Sequence, residues 1–263
     1  MKIAVLSDVH GNFEALQSVL AFLKERSINK IINLGDTIGY GPDPIRCLEY
    51  FMYMSGKNAD ITDDEKEYLS SFSADVLMGN HDAACVGFSD MSYFNEHAMQ
   101  AIIWTRGQLQ DSHAMFIKNL PYQYRWDTYY FYHATPEDVE KWYYLDSVPM
   151  AREYFKKAER EIIFVGHTHK LYLFIYNNAN GKVSGAYPQK SVWNIDPNYR
   201  YIINPGSVGQ PRDGNYMASF MIIDTVTKEL TIERVDYDVK TTQAKMMQAK
   251  LPYVLAERLA LGV

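Results

Sequence analysis

Residues 2–12 read Lys2-Ile3-Ala4-Val5-Leu6-Ser7-Asp8-Val9-His10-Gly11-Asn12, and residues 30–36 read Lys30-Ile31-Ile32-Asn33-Leu34-Gly35-Asp36. The first holds a continuous apolar run, the pattern of a strand buried on both faces, and the second reads as another buried strand. Between them Phe13, Leu16, Val19, Leu20 and Leu23 fall at helical spacing over residues 12–26. Strand, helix, strand in that order predicts a parallel pair joined by a right-handed crossover. The fold class is therefore α/β. Both runs end in groups that bind metals, Asp8 and His10 in one and Asp36 in the other.

The same arrangement recurs along the chain. A helix is expected after the Gly41-Pro42-Asp43-Pro44 turn, and a third strand over residues 75–79 ends at Gly79 with Asn80 and His81 beyond it. Residues 128–133 and 161–166 read as two more strands, with a helix near 150–160 between them. His133 ends the first of these, and His167 and His169 follow the second after Gly166. Residues 57–72 are acidic and read as a solvated helix or insertion. Residues 94–120 read as mostly helical, and residues 90–120 as a cap-like region. Residues 171–176, 201–204, 217–224 and 229–235 are strand-like and are expected to supply a second sheet. Residues 239–260 read as a helix broken at Pro252. A single domain over 1–263 is expected, as two packed sheets with helices outside.

Composition narrows the function. The chain has 263 residues, enough for a large core without staples, and 47% are hydrophobic, as in a globular protein. A net charge of -6 disfavours a long nucleic-acid partner, whose phosphates are met by Lys and Arg. A small anionic substrate stays open, because metal ions set their own local potential. Cys47 and Cys85 form no CxxC pair and read as small buried hydrophobes. The apolar run at the start is too short for a signal peptide, and no stretch is long enough to cross a membrane. A cytoplasmic protein is expected.

The site rests on position. In open α/β sheets ligands bind beyond the carboxyl ends of strands. Five strand ends, scattered over the sequence, would carry metal-ligating groups to one rim. Asp8 and His10 are two residues apart, as are His167 and His169, so each pair would point one way in an extended chain. A single histidine at a strand end is more often structural, and a single Asp after Gly is more often a turn or cap. The set together points to a dinuclear metal site.

Ser7-Asp8-Val9-His10-Gly11-Asn12, Gly35-Asp36, Gly79-Asn80-His81-Asp82, His133 and Gly166-His167-Thr168-His169 resemble the calcineurin-like metallophosphoesterase superfamily. Gly39-Tyr40-Gly41-Pro42-Asp43-Pro44 and Asn204-Pro205-Gly206-Ser207-Val208-Gly209-Gln210-Pro211-Arg212 resemble its small bacterial and archaeal branch of predicted phosphodiesterases and diadenosine tetraphosphatase-like proteins. The resemblance implies a four-layer αββα sandwich of two mixed sheets flanked by helices. It implies one metal on Asp8, His10 and His169, a second on Asn80, His133 and His167, and Asp36 bridging them. His81 would then be a general acid or transition-state stabiliser. Asp82 would orient it or, alternatively, cap the next helix.

Two dications outweigh two carboxylates and a bridging hydroxide, so such a site attracts phosphate. A metal pair can activate water and clamp both the attacking and the leaving oxygen. The mixed donors suit manganese, iron or zinc better than magnesium. The expected reaction is attack of metal-bound hydroxide on a phosphodiester or nucleotide phosphoanhydride of a small substrate. A phosphomonoesterase or protein phosphatase, and a silent regulatory protein of the same fold, are the alternatives. Asn12 and Arg212 are candidate substrate contacts. Asn95, His97 and Arg106 could line a cap, although structural or surface roles are expected for His97 and also for His113. Tyr40 and Trp142-Tyr143-Tyr144 could stack on a base, or simply be packed.

Overall fold

The first strand, β1 (Lys2–Leu6), divides its side chains between two cores. Ala4 and Leu6 join one hydrophobic cluster and Ile3 and Val5 another, as the two-residue period of a strand requires. The computed structural model describes residues 1–157, 162–188 and 191–263. After β1 come α1 (Phe13–Glu25), β2 (Lys30–Asn33), α2 (Pro44–Met54), α3 (Asp63–Leu69), β3 (Ser73–Val76), α4 (Asn80–Cys85), α5 (Glu96–Arg106) and α6 (Asp111–Lys118). The middle of the chain gives β4 (Gln123–Trp126), β5 (Tyr129–Tyr132), α7 (Val148–Lys157) and β6 (Ile162–Phe164). The remainder gives β7 (Leu171–Asn177), β8 (Val183–Ala186), β9 (Val192–Asn194), β10 (Tyr199–Pro205), β11 (Ala218–Asp224), β12 (Glu229–Val235), α8 (Val239–Gln248) and α9 (Tyr253–Leu261).

These strands form two six-stranded sheets, ordered β3-β2-β1-β11-β12-β9 and β4-β5-β6-β10-β7-β8. In the first, β1, β2 and β3 are parallel and β11 runs antiparallel to β1. In the second, β5, β6 and β10 are parallel and β7 returns antiparallel. Ile3, Val5, Ile32, Met221 and Ile223 of one sheet meet Phe131, Phe164, Tyr201 and Ile203 of the other. Outside the first sheet, Leu16 and Leu20 of α1 and Phe51 of α2 cover Ala4, Leu6 and Phe220. Outside the second, Ala151 and Phe155 of α7 cover Ile163, Val165 and Ile202. Each buried Leu, Ile or Phe contributes roughly 1.5–3 kcal/mol. The result is the expected αββα sandwich.

Local chemistry fixes the helix ends. Asn12 accepts a hydrogen bond from the backbone N–H of Ala15 and so starts α1, while Pro44 opens α2. Thr62 and Glu65 form a capping box at α3, and Leu69 tucks that acidic segment into the main core. The expected cap-like region is two helices, α5 and α6, after a short turn at Met91–Tyr93, and Ile102 and Ile117 anchor it to the same core. The C-terminal helix breaks as expected, with Pro252 capping α9.

The strand expectation needs one correction. Segments after residue 170 do not make the second sheet alone. β9, β11 and β12 return to the first sheet, and the second takes β4, β5 and β6 from the middle of the chain. Buried β11 pairs with both β1 and β12, and pairing of this kind leaves no local trace in a sequence. The helix expected over 150–160 and the strand over 161–166 extend into residues 158–161, which lie outside the described residues. Among the described residues no helix is long and apolar enough to cross a membrane.

Candidate metal centre

The loops after β1, β2, β3, β5 and β6 bring Asp8, His10, Asp36, Asn80, His81, His133, His167 and His169 to one buried rim. The route there differs from the extended geometry expected. β1 ends at Leu6, and Asp8 and His10 have φ of 55° and 51°. Asp36, His167 and His169 are also left-handed, at 53°, 66° and 59°. Non-glycine residues in this region cost about 1–3 kcal/mol each and persist only where neighbours over-determine them. Here the loops are tied to one another. Asp8 N donates to Gly35 O (3.1 Å), His10 N to Asp36 O (2.9 Å), Gly166 N to His133 O (2.7 Å) and Arg212 N to His169 O (3.0 Å). Close approach also demands glycine: a Cβ on Gly79 would lie 2.1 Å from Asp36 Oδ1.

The donors are aimed with care. His10, His133 and His169 donate Nδ1–H to the carbonyls of Ile38 (3.2 Å), Leu34 (3.2 Å) and Gln210 (2.7 Å). In His10 and His169 that fixes the tautomer and leaves Nε2 with a lone pair facing inward, and His133 turns its Nε2 to the same space. The Nε2 atoms of His10 and His169 lie 3.0 Å apart, and His133 Nε2 lies 3.0 Å from Asn80 Oδ1. Each carboxylate is half held and half free. Asp8 Oδ2 accepts from Ser7 Oγ (2.6 Å) and His167 N (3.1 Å), and Asp36 Oδ1 accepts from His81 N (2.8 Å). Asp8 Oδ1 and Asp36 Oδ2 are buried without a partner. Asp36 Oδ2 stands 3.6 Å from His10 Nε2 and 3.4 Å from His133 Nε2, between the two halves.

Facing lone pairs and orphaned carboxylate oxygens fit a cation, which would satisfy all of them. Three groups have ligand atoms close enough to share an ion: Asp8, His10 and His169; Asp36, His133 and His167; and His10, Asp36 and His81. Burial pushes His81 down to about 4 and His167 down to about 3, and holds His10 and His169 well below the usual imidazole range. These rings are therefore neutral, as ligands must be. Burial also lifts the Asp8 carboxyl to about 7. Burial opposes ionisation of Asp36 as well, but the charge of His133 outweighs it and holds the carboxyl low. Burial likewise opposes the His133 cation, but Asp36 outweighs it and lifts that ring to about 9.

Of the two roles expected for Asp82, the geometry shows the cap of the next helix and not the orientation of His81. Its carboxylate accepts from the N–H groups of Gly79 (3.1 Å), Thr37 (3.3 Å) and Ile38 (3.2 Å), so it caps α4 and braces the Asp36 loop. His81 Nδ1 is buried without a hydrogen-bond partner. Asn12 is bonded within the protein. Its amide donates to Gly209 O (2.8 Å), and its oxygen accepts from Ala15 N (3.2 Å) and Thr242 Oγ1 (3.1 Å). Arg212 does reach the centre, where its charge disfavours protonation of His169 and His10. Gln210 Oε1 holds its guanidinium at 2.7 Å. Away from the centre, His113 bonds Glu49 (2.5 Å), Asn95 caps α5, Arg106 donates to Ala84 O (2.5 Å), and His97 is exposed.

Tyr40 and Tyr144, expected to stack on a base or to be packed, and Phe94, which no motif announced, pack against the centre. Tyr40 packs on His81 and His10 at 4.3 and 4.6 Å between ring centroids, and Phe94 meets His81 edge-on at 5.1 Å. Tyr144 stacks on His167 at 4.1 Å. Ser7, beside Asp8 in sequence, was open to inference. Gln210 and Phe94 act through loops that meet only in the fold.

Two mixed sheets in a sandwich, with an imidazole and carboxylate cluster at the strand ends, define a metal-ready hydrolase scaffold. Comparison with known proteins narrows that class. Residues 1–228 match the calcineurin-like phosphoesterase superfamily domain. An uncharacterised protein of Methanocaldococcus jannaschii is 35% identical over 266 residues, covering 99% of this chain and 98% of that one. The crystal structure of a metallophosphoesterase from Sphaerobacter thermophilus superposes with a TM-score of 0.80 at 34% identity, covering 100% of this chain and 99% of that one. A hypothetical protein from Pyrococcus horikoshii shares the fold, with a TM-score of 0.73 at 19% identity and coverage of 100% and 98%. The chain belongs to the calcineurin-like phosphoesterase superfamily, and this membership implies a phosphoester hydrolase.

Proposed function

We propose that the chain is a cytoplasmic phosphodiesterase that uses two divalent cations, of manganese, iron or zinc, on a small nucleotide-like substrate. One observation carries the reading. Asp8 Oδ1 and Asp36 Oδ2 are orphaned among buried imidazoles, and Asp36 stands between the two ligand groups. Asp8, His10 and His169 would hold one cation, Asn80, His133 and His167 the other, and Asp36 would belong to both. Bound there, the pair supplies Lewis acidity and an activated water.

The chain's own residues do the rest. Arg212, steadied by Gln210, offers a guanidinium to a phosphoryl oxygen. His81 stands on the rim with its ring between Tyr40 and Phe94, and the N–H of its neutral ring stabilises charge on the leaving oxygen. Tyr40 and Phe94 keep water from that ring. The free, buried thiols of Cys47 and Cys85 suit a reducing compartment. A diester is favoured over a monoester because a cleft of about 480 Å³ opens beside His167, with room for a second ester substituent.

The test compares bis-p-nitrophenyl phosphate with p-nitrophenyl phosphate on manganese-loaded protein. Faster turnover of the diester is expected. Faster turnover of the monoester would assign the chain to the phosphomonoesterases, and turnover of neither would leave a silent regulatory protein.

A further inference from the structure

Four large aromatic side chains stand open to solvent around one cavity. Phe88 is 53% exposed, Tyr93 84%, Tyr143 47% and Tyr144 51%. Exposed apolar groups scattered singly need no explanation, but a cluster marks a binding surface. They come from two loops on opposite sides of the rim. One follows α4 and carries the turn at Met91–Tyr93, and the other follows β5 and carries the turn at Val139–Lys141. Between them lies the cleft of about 480 Å³, within the size range of small-molecule sites.

The inner end of the cleft is the metal centre. His167 lines it, and Tyr144 covers that imidazole in a stack tilted by 20°. Trp142 meets His133 edge-on at 5.7 Å, and Phe94, also in the wall, meets His81 at 5.1 Å. A ligand filling the cleft thus touches a candidate metal ligand and the neighbour of His81. Trp142 holds a left-handed backbone, with φ of 53°, and so does Asp138 at 47°. A bulky residue in that region is rare, and the strain is of the kind found at ligand clamps.

The outer end has a definite polarity. Asp90 and Glu140 stand in the wall, while Lys141, the one lysine there, pairs with Asp138 at 3.0 Å. Two carboxylates repel a second phosphate and accept hydrogen bonds from N–H groups. Aromatic walls with acceptors at the rim match a flat, uncharged, N–H-bearing ring. Every nucleobase offers a π-face for such stacking.

We infer that the cleft walled by Phe88, Tyr93, Trp142, Tyr143 and Tyr144 is a nucleobase subsite, so that the substrate's phosphate reaches the metal centre with its base stacked there. The inference rests on the phosphoesterase reading and names its substrate class, an ester of a nucleoside phosphate.

The probe is adenosine 5′-monophosphate, with ribose 5-phosphate and phenyl phosphate as references, each titrated calorimetrically into manganese-loaded protein. Adenosine monophosphate should bind at least tenfold more tightly than ribose 5-phosphate, about the gain of one base–aromatic stack. It should also bind more tightly than phenyl phosphate, which lacks the N–H donors. In Tyr93→Ala the advantage over ribose 5-phosphate should shrink several-fold, and in Tyr93→Ala/Tyr143→Ala it should nearly vanish. Tyr93 is so exposed that its loss leaves the fold intact. Equal affinity for adenosine monophosphate and ribose 5-phosphate, or an advantage untouched in the double variant, would overturn the subsite while leaving the metal centre standing. Phenyl phosphate binding as well as adenosine monophosphate would show a pocket for any aromatic ring and overturn the base assignment. Failure of all three to bind would sink the phosphoesterase reading and the subsite with it.

Discussion

The metal rim and the aromatic cleft are neighbours built on opposite principles. The rim is buried and polar, and its loops are laced to one another by backbone hydrogen bonds. The cleft is open and largely aromatic, with carboxylates at its outer end, and its walls are two surface loops carrying exposed rings. In the rim Asp8, Asp36, His10, His133 and His169 each have one atom fixed by the protein and one turned inward. In the cleft the faces of the rings are the ligand's share. On the proposed reading the difference separates two tasks: the rim would set the reaction, and the cleft would select the molecule. Substitutions in the rim should therefore cost metal, rate or stability, and substitutions in the cleft should cost selectivity alone.

The largest effect should come from Asp36→Asn. The carboxylate is common to both halves of the centre, so metal content should fall for both and activity should disappear. That exceeds the roughly 10–100-fold typical of groups that only support a ligand. Two tightly held manganese ions in this variant would break the comparison at its centre. His81→Ala comes next and should keep both metals while kcat falls by about 10²–10⁴. Unchanged turnover would remove His81 from the chemistry.

Asp82→Ala should leave three buried N–H groups without an acceptor. Each such group costs about 1–3 kcal/mol, so a clear loss of Tm is expected by calorimetry. A wild-type Tm would show that the brace on the Asp36 loop is dispensable. Ser7→Ala removes the hydroxyl that pins Asp8 Oδ2. Manganese affinity should drop by about 10–100-fold with the fold intact, as read by titration. The smallest effect sharpens the contrast: Tyr93→Ala should change stability by no more than about 0.5 kcal/mol, measured by denaturant unfolding. A larger loss would mean that the cleft wall is part of the core.

The two regions were unequally legible in the sequence. β1, β2 and α1 could be read directly, because runs buried on both faces and a helical stripe leave a period in the residues. The gathering of Asp8, His10, Asp36, Asn80, His133, His167 and His169 at one rim was legible because each closes or follows a run that reads as a strand. The left-handed backbone at Asp8 and His10 was not legible, since only the closing of neighbouring loops holds it there. The choice between the two roles of Asp82, and the partners of Asn12, were hidden for a related reason. Both residues suit a catalytic site in type and place, but their partners, the N–H groups of Thr37 and Ile38 and the carbonyl of Gly209, are brought near by folding. The sheet exchange of β9, β11 and β12 rests on pairing across the whole chain. Of the cleft, only Trp142-Tyr143-Tyr144 stood out as a string. Phe88 and Tyr93 come from a distant loop and had no pattern to announce them.

The central claim is that residues from five strand ends hold two cations side by side. The direct measurement is anomalous diffraction from crystals of the manganese-loaded protein. The account predicts two manganese peaks per chain, one among Asp8, His10 and His169 and the other among Asn80, His133 and His167, with Asp36 touching both. A single peak, or manganese bound elsewhere while Asp8 Oδ1 and Asp36 Oδ2 stay without a partner, would contradict it.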